Sequence, residues 1–166
     1  MDPRAAQLIQ ALGLTPHPEG GYFREVFRSR NIVQPSDGRG PRPALTTIYF
    51  LLPADAMSRW HRVRSDEVWH HYEGDPLELL LMTEVQARLD RVTLGPYRNG
   101  QTPVHYVPAG CWQAARPLGA YTLVGCTVGP GFEYADFDLL ADHPDLAGRL
   151  SRALPGIGEF IGVRQG

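Results

Sequence analysis

The sequence predicts an all-β fold, closed as a small barrel or double-sheet jelly roll, with a short helix near each end. Two observations support this prediction. Between residues 45 and 140 no helical period persists, and short runs rich in Val, Ile, Tyr, Leu and Thr recur at roughly 8 to 12 residue intervals. Gly, Pro and Asp separate these runs and favour turns between strands. Closure of such a set of strands removes the exposed edges of the sheet.

The first element is a predicted helix over about residues 3–13. Asp2 can act as its N-cap, Pro3 suits the first helical position, and Gly13 can end it. Leu8, Ile9 and Leu12 recur on one face, so the helix is expected to be a short amphipathic cover.

The next segment combines charged residues and turn formers. Arg24, Arg28 and Arg30 alternate after Tyr22, which predicts a solvated edge strand. On such a strand the arginines could instead form part of a basic face near the barrel mouth and bind an anionic ligand. Residues 34–43, QPSDGRGPRP, predict a mobile surface loop near the rim, because Pro fixes φ while Gly tolerates positive φ.

The predicted strands follow in order along the chain. They cover residues 45–52, 58–63, 66–73, 77–82, 88–94, 103–107, 111–116, 121–128 and 132–140. A last helix is expected over about residues 144–154, where Leu146, Leu150 and Leu154 are four residues apart and Pro155 stops it. The 166 residues are therefore expected to form one domain, with the barrel over about residues 20–140.

Composition excludes several classes of protein. A formal net charge of −2, with no run of Lys or Arg longer than two, argues against a nucleic-acid partner. No apolar run approaches the roughly 20 residues that span a bilayer, so we expect a soluble, cytoplasmic protein without a membrane partner. Cys111 and Cys126 form no CxxC pair, which favours two reduced thiols over a disulfide or a structural zinc site.

Strand geometry brings polar residues from several runs together. Alternate side chains share a face, so His61 and Val63 point the same way, and Glu67, Trp69 and His71 form a second inward set. His70 and His71 are adjacent, so at most one of them faces the pocket. Each residue also has a structural interpretation, such as a hydrogen-bonded core histidine or a core tryptophan.

The predicted site therefore contains residues of two kinds. His61 and Glu67 are the candidate catalytic residues, and the candidate ligand-binding residues are His71, Gln113, Tyr49 and Trp69. The turn at residues 108–110 would deliver Gln113 to the barrel wall.

Two motifs resemble those of the cupin superfamily. The first is HRVRSDEVWHHYEG at residues 61–74, and the second is PAGCWQ at residues 108–113. The chain keeps His61, Glu67, Gly74, Pro108 and Gly110 of that pattern. It has Asp55 in place of the leading Gly, Val63 in place of the second His, and Gln113 in place of the last His.

Further segments make the resemblance narrower. They are HPEGGYFRE at residues 17–25, DEVWH at 66–70, GDPLE at 74–78, GCTVGPGF at 125–132 and ADF at 135–137. Together with the second motif they resemble one small cupin-like family of unknown function, also described as RmlC-like, over about residues 8–140. The resemblance implies a cupin jelly-roll barrel, a likeness in fold to sugar-nucleotide epimerases and a homodimer. It also implies that Gln113 is a trait of the family.

Three functions remain open on the sequence. The first is a metal-independent, epimerase- or isomerase-like enzyme in which His61 and Glu67 exchange protons with a polar small molecule. The second is a metal enzyme with an incomplete site of His61, Glu67 and Gln113, which His71 and water could complete. The third is a non-catalytic module that binds a small molecule. No cofactor is predicted, although a divalent metal stays open.

Overall fold

Two antiparallel sheets enclose the centre of the molecule in the computed structural model, which describes residues 1–84, 88–98 and 100–162. The strands are β1 (Thr15–Pro16), β2 (Tyr22–Arg28), β3 (Ile32–Val33), β4 (Arg42–Pro43), β5 (Thr46–Pro53), β6 (Ser58–Val63), β7 (Asp66–Gly74), β8 (Leu77–Thr83), β9 (Arg88–Leu94), β10 (Val104–Val107), β11 (Trp112–Pro117), β12 (Tyr121–Gly129) and β13 (Phe137–Leu139). One sheet has the order β1-β2-β5-β12-β7-β10, and the other has the order β13-β6-β11-β8-β9. This arrangement confirms the predicted jelly roll.

The core lies between the two sheets. Phe50, Trp69, Leu79, Val124 and Cys126 are buried there and belong to one apolar cluster. They are inward-facing residues of strands from both sheets, so alternation along each strand supplies the core.

Helix α1 (Pro3–Leu12) covers the outer face of the six-stranded sheet. The Asp2 side chain accepts hydrogen bonds from the backbone of Arg4 and Ala5, and Gly13 ends the helix with φ of 62°. Ala5 and Leu8 pack on Leu51 and Leu123 of the sheet. The predicted apolar face of α1 therefore packs against the barrel.

Helix α2 (Pro144–Ala153) covers the outer face of the five-stranded sheet. Ala147 and Leu150 pack against Trp60 and Trp112, while the Trp60 indole N–H donates to the Ile157 carbonyl at 3.0 Å. None of the helices in the described ranges is both long and apolar enough to cross a membrane.

Two local predictions were wrong. Residues 132–140 do not form one strand, because 3₁₀ turns at Tyr134–Asp136 and Leu140–Asp142 flank the short β13. The first turn buries the Asp136 side chain against Arg39 and Arg42. The same contacts anchor the segment predicted to be a mobile loop, in which Arg39 is 8% exposed. Segment 34–43 is thus attached to the barrel through buried ion pairs.

Candidate functional site

A cavity of about 160 Å³ lies between the two sheets. Its walls are mainly apolar and include Phe23, Ile48, Phe50, Val63, Val128 and Phe137. Buried groups capable of proton transfer or hydrogen bonding line the same space, among them His17, Glu19, His61, Glu67 and Cys126. The cavity therefore combines an apolar body with a buried cluster of acids and imidazoles.

Glu19 is at the centre of one half of this cluster. Its carboxyl Oε1 accepts a hydrogen bond from Ser58 Oγ at 2.8 Å, and its Oε2 lies 3.2 Å from His61 Nδ1. Ser58 and His61 are both on β6, and all three side chains are buried. The carboxyl is thereby held beside the strand that carries the predicted histidine.

A tight turn places Glu19 in this position. The Gly20 N–H donates to the His17 carbonyl at 3.0 Å, and the Arg59 N–H donates to the Glu19 carbonyl at 2.9 Å. Gly20 has φ of 116°, and a β-carbon there would collide with the Met57 carbonyl. Glycine is required because only it combines this backbone conformation with so close an approach.

The hydrogen-bond partners fix the protons on the two imidazoles. His61 Nδ1 lies 2.8 Å from the Arg59 carbonyl, which can only accept, so Nδ1 carries the hydrogen and Nε2 is the basic nitrogen. His17 Nδ1 instead accepts the Glu19 N–H at 3.2 Å, so neutral His17 carries its hydrogen on Nε2. One imidazole can therefore accept a proton while the other donates a hydrogen bond.

Burial sets the charge state of this half of the cluster. It raises the pKa of Glu19 to about 8, although the Ser58 hydrogen bond and the Arg59 charge act in the opposite direction. Burial, together with the electrostatic effect of His61, lowers the pKa of His17 to about 3. Burial also lowers the pKa of His61, against the effect of Glu67. At neutral pH Glu19 is a carboxylic acid and both imidazoles are neutral.

Glu67 forms the other half of the cluster and is held by a chain of hydrogen bonds. The Trp69 indole N–H donates to Gln113 Oε1 at 2.9 Å, and Gln113 Nε2 donates to Glu67 Oε2 at 2.5 Å. An indole N–H can only donate, so it fixes the amide with its NH₂ toward the carboxyl. On balance the pKa of Glu67 is raised, mainly by burial and also by the charge of Glu19, although His61 and hydrogen bonds from Gln113 and Cys126 act in the opposite direction.

The mouth of the cavity carries three charged side chains. Arg28 binds Glu25 at 2.8 Å and Glu133 at 2.8 Å, and all three line the cavity. The predicted alternation of Arg24 and Arg28 on one face was wrong, because a bulge between Glu25 and Phe27 shifts the register of β2. Arg24 therefore reaches the Leu12 carbonyl on the outer face, at 2.9 Å.

The structure brings four of the six predicted site residues together. His61 and Glu67 line the cavity, and Gln113 is cross-strand partner to His61 on β11. Trp69 and Gln113 are fully buried. Trp69 hydrogen-bonds to Gln113, and Gln113 hydrogen-bonds to Glu67.

Tyr49 and His71 are not among the residues that line the cavity. Tyr49 alternates with Ile48 and Phe50, which do line it, so its ring lies on the outer face near Tyr72. His71 lies beyond Trp69 toward the far end of β7, where its Nε2 is 3.3 Å from the Asp75 carbonyl. The prediction that Tyr49 and His71 lie around one pocket with His61 was therefore wrong.

The predicted site did not include the cavity residues His17, Glu19 and Cys126, which belong to the buried cluster. The segments HPEGGYFRE and GCTVGPGF contain them, and those segments supported the resemblance without suggesting a chemical role. The signal that could have found the first two is the Gly20-Gly21 pair, which predicts a turn and a close backbone approach directly after a His and a Glu.

The donors around His61 do not fit a metal ion. Val63 occupies the place of a second imidazole, and the Gln113 oxygen is taken by Trp69, so the amide presents N–H groups to Glu67. Across the described ranges no group of three or more His, Cys, Asp or Glu is arranged to hold a metal. His17, Glu19 and Cys126 also line the cavity, but they are not arranged with His61 and Glu67 as the set of ligands that a mononuclear site needs.

Comparison with known proteins confirms the resemblance that the motifs indicated. The model of a family described as Cupin superfamily (DUF985) matches residues 6–140. A hypothetical protein from Leishmania major is 34% identical with a TM-score of 0.81, and the match covers 94% of this chain and 97% of that one. The uncharacterized protein YML079W of Saccharomyces cerevisiae is 27% identical over an alignment of 155 residues, and the match covers 84% of this chain and 77% of the yeast protein.

A more distant likeness concerns the fold alone. Oxalate decarboxylase from Bacillus subtilis is 16% identical with a TM-score of 0.57, and the match covers 78% of this chain and 30% of that one.

Proposed function

The chain belongs to the family described as Cupin superfamily (DUF985), and from that premise we propose that it is a metal-independent acid/base enzyme of the isomerase or epimerase kind. The names of the Leishmania major and yeast relatives state no activity, and the likeness to oxalate decarboxylase concerns the fold alone. The proposal therefore depends on the chemistry of the cavity.

One observation carries the proposal: a buried carboxylic acid and a neutral imidazole face the same cavity and lie 3.2 Å apart. Glu19, with its pKa raised to about 8, holds a proton at neutral pH and can donate it. His61 is neutral, and its Nδ1 hydrogen bonds to the Arg59 carbonyl. Its Nε2 therefore has the lone pair that can accept a proton. A donor and an acceptor are thus both in the form that general acid/base catalysis requires.

The proposed step moves one proton within the substrate. His61 Nε2 accepts the proton of a C–H bond next to a carbonyl group, and the electron pair of that bond moves toward the carbonyl oxygen. Glu19 donates its proton to that oxygen. Return of a proton to carbon, with loss of the one on oxygen, completes an isomerisation or epimerisation and restores both side chains.

The size and walls of the cavity indicate the kind of substrate. A volume of about 160 Å³ is similar to that of apolar protein cavities that hold a benzene molecule. The walls are aromatic and aliphatic, so the body of the substrate is expected to be apolar and no larger than about one ring. The sequence alone predicted a more polar molecule.

Hydrogen–deuterium exchange at carbon tests the proposal. Small ketones and aldehydes are incubated with the protein in D₂O, and loss of the α-proton signal is followed by NMR. We expect wild-type protein to exchange at least one compound, and Glu19→Gln and His61→Gln to lower the rate by about 10² or more. The rate should fall above about pH 8, where Glu19 ionises, and below the lowered pKa of His61.

Glu159→Gln is a matched control, because the same change is made at a carboxylate that is 64% exposed. Its exchange rate should equal that of the wild type. Exchange that persists in His61→Gln would contradict the proposal.

A non-catalytic binding role is the second candidate, and the apolar walls favour it. A ligand that stays chemically unchanged after long incubation, together with no exchange in any compound of the panel, would establish binding as the function.

We also propose that the protein is a homodimer. The outer face of the six-stranded sheet exposes Phe27, Tyr72, Val104 and Tyr106, which are between 46% and 65% accessible. Exposed apolar patches of this kind mark protein interfaces. Light scattering after size-exclusion chromatography would give twice the chain mass of 18.4 kDa for a dimer, and Tyr106→Glu should shift the protein to the monomer.

A further inference from the structure

Glu67 has hydrogen-bond donors built around it that suit a carboxylate anion. Gln113 Nε2 donates to its Oε2 at 2.5 Å, and the Cys126 thiol also hydrogen-bonds to it. The Trp69 indole N–H prevents the Gln113 amide from turning its oxygen toward the carboxyl. Glu67 is 6% exposed, so water does not supply this solvation.

The protein provides no permanent positive charge beside this carboxyl, so burial raises its pKa, and a cation placed beside it would favour the carboxylate. Arg28 is the only Lys or Arg among the described residues that line the cavity. Its Nε and Nη2 donate to Glu25, its Nη1 donates to Glu133, and Nη2 also reaches the Phe132 carbonyl. His61 is neutral, and its Nδ1 hydrogen is used by the Arg59 carbonyl.

Buried carboxylates are normally paired with a cation, because an isolated charge is costly in an apolar medium. A ligand could supply the missing charge. The cavity walls favour such a ligand, since aromatic rings attract cations to their faces. The rings that line it are Phe23, Phe50, Phe132, Tyr134 and Phe137.

We infer that the ligand of this cavity carries a protonated amine, which pairs with Glu67 while its apolar body lies against the aromatic walls. This inference rests on the proposed function for the role of the His61–Glu19 pair, which stays free for proton transfer. An anionic ligand is disfavoured, because it would meet four carboxyl groups and would have to displace Glu25 or Glu133 from Arg28.

Three probes of nearly the same shape test the charge preference: benzylamine, benzyl alcohol and benzoate. Their dissociation constants are measured by NMR titration at pH 7. Benzylamine should bind at least about tenfold more tightly than benzyl alcohol, the difference expected of one charge-assisted hydrogen bond. Benzoate should bind most weakly. Equal affinities for the three probes, or a preference for benzoate, would overturn the inference.

Two variants locate the amine. Glu67→Gln should weaken benzylamine about tenfold or more, to the level of benzyl alcohol, and leave benzyl alcohol within about twofold. Trp69→Phe keeps the carboxyl but releases Gln113, and it should weaken benzylamine about threefold without affecting the alcohol. A purely structural effect would instead weaken all probes equally, which would also overturn the inference. Glu159→Gln is again the control.

The exchange experiment keeps the two proposals separate. Exchange of a neutral carbonyl compound that depends on His61, without any preference for benzylamine, would overturn the ligand assignment and leave the proposed reaction standing. A preference for benzylamine that depends on Glu67, without exchange in any compound, would support the ligand assignment and count against catalysis.

Discussion

Two buried carboxyl groups in this protein have opposite environments. The Asp136 side chain is 4% exposed, and it accepts hydrogen bonds from Arg39 at 3.0 Å and from Arg42 at 2.7 and 2.9 Å. These arginines lower its pKa despite burial. The Glu19 side chain is 7% exposed and has Ser58 and neutral imidazoles as neighbours, so burial raises its pKa to about 8.

The difference shows that burial alone does not decide whether a carboxyl group is charged. The cation supplied to Asp136 keeps it ionised and turns it into a structural clamp for segment 34–43. Glu19 lacks such a partner and remains a proton donor that faces a cavity. Asp136 therefore stabilises the fold, whereas Glu19 can take part in proton transfer.

The largest expected effect is the pH dependence of stability that Glu19 causes. Its pKa is about 8 in the folded protein and 4.5 in an unfolded chain. A pKa raised by folding contributes stability that is fully present below pH 4.5 and is lost as the pH rises to about 8. The whole contribution is about 5 kcal/mol. Relative to Glu19→Gln, the wild type should therefore lose about 5 kcal/mol of unfolding free energy between pH 4 and pH 8.5.

Urea unfolding of both proteins across this range measures the difference. His17 acts in the opposite direction, because its pKa falls from 6.5 to about 3 on folding, so its stability is lost as the pH drops. It is present in both proteins and cancels. A difference that does not change with pH would mean that folding does not raise the pKa of Glu19.

The next effect comes from removing the charge of Asp136. Asp136→Asn leaves Arg39 buried without its counter-charge, and breaking a buried ion pair in this way costs about 3 to 5 kcal/mol. Chemical denaturation at pH 7 should show this loss. Asp138→Asn is the comparison, because the Asp138 carboxylate also accepts two arginine nitrogens but is 32% exposed and should cost much less. Similar losses at the two positions would contradict the importance of burial.

The turn that carries Glu19 gives the third prediction. Gly20→Ala forces a β-carbon into the Met57 carbonyl at a positive φ, so it should cost about 3 kcal/mol and displace Glu19 from His61. Gly38→Ala is the matched control, since φ there is also positive, at 82°, but nothing lies within 4 Å. The control should lose about 1 kcal/mol. Thermal unfolding and the exchange assay should separate the variants, and an active Gly20→Ala protein would argue against the position of Glu19.

The smallest effect is expected at the mouth of the cavity. Arg28, Glu25 and Glu133 form ion pairs like those of Asp136, but their side chains are between 37% and 45% exposed. Arg28→Gln should therefore change the unfolding free energy by no more than about 1 kcal/mol. Denaturation at low and at high salt tests this, because exposed pairs are screened. A loss as large as that of Asp136→Asn would mean that exposure does not distinguish the two groups.

Much of the fold could be predicted from the sequence because the strands alternate regularly. Strand β6 begins and ends where the pattern placed it, at Ser58 and Val63, and β9 also matches, from Arg88 to Leu94. The turn residues that separate these runs act locally, so they can be recognised without knowledge of the rest of the chain.

The site was harder to predict because its contacts join distant parts of the chain. Glu67, Gln113 and Trp69 were predicted from two motifs, but the hydrogen bonds that order them depend on side-chain directions in two different sheets. Glu19 reaches its place through a loop, where alternation gives no information. Tyr49 was assigned to the wrong face because the strand parity of β5 was unknown until its partners were seen.

The bulge in β2 provides one position at which the length of this strand can vary. Val26 is the extra residue, and it allows Glu25 and Arg28 to share the cavity face although they are three positions apart. Deleting Val26 would leave Arg28 two positions after Glu25, so strict alternation would be restored with both side chains still on the cavity face, as they are when another residue replaces Val26. Comparison of ligand binding in a Val26 deletion and in Val26→Ala would measure this. At this position a one-residue deletion is therefore expected to be as mild as a missense change.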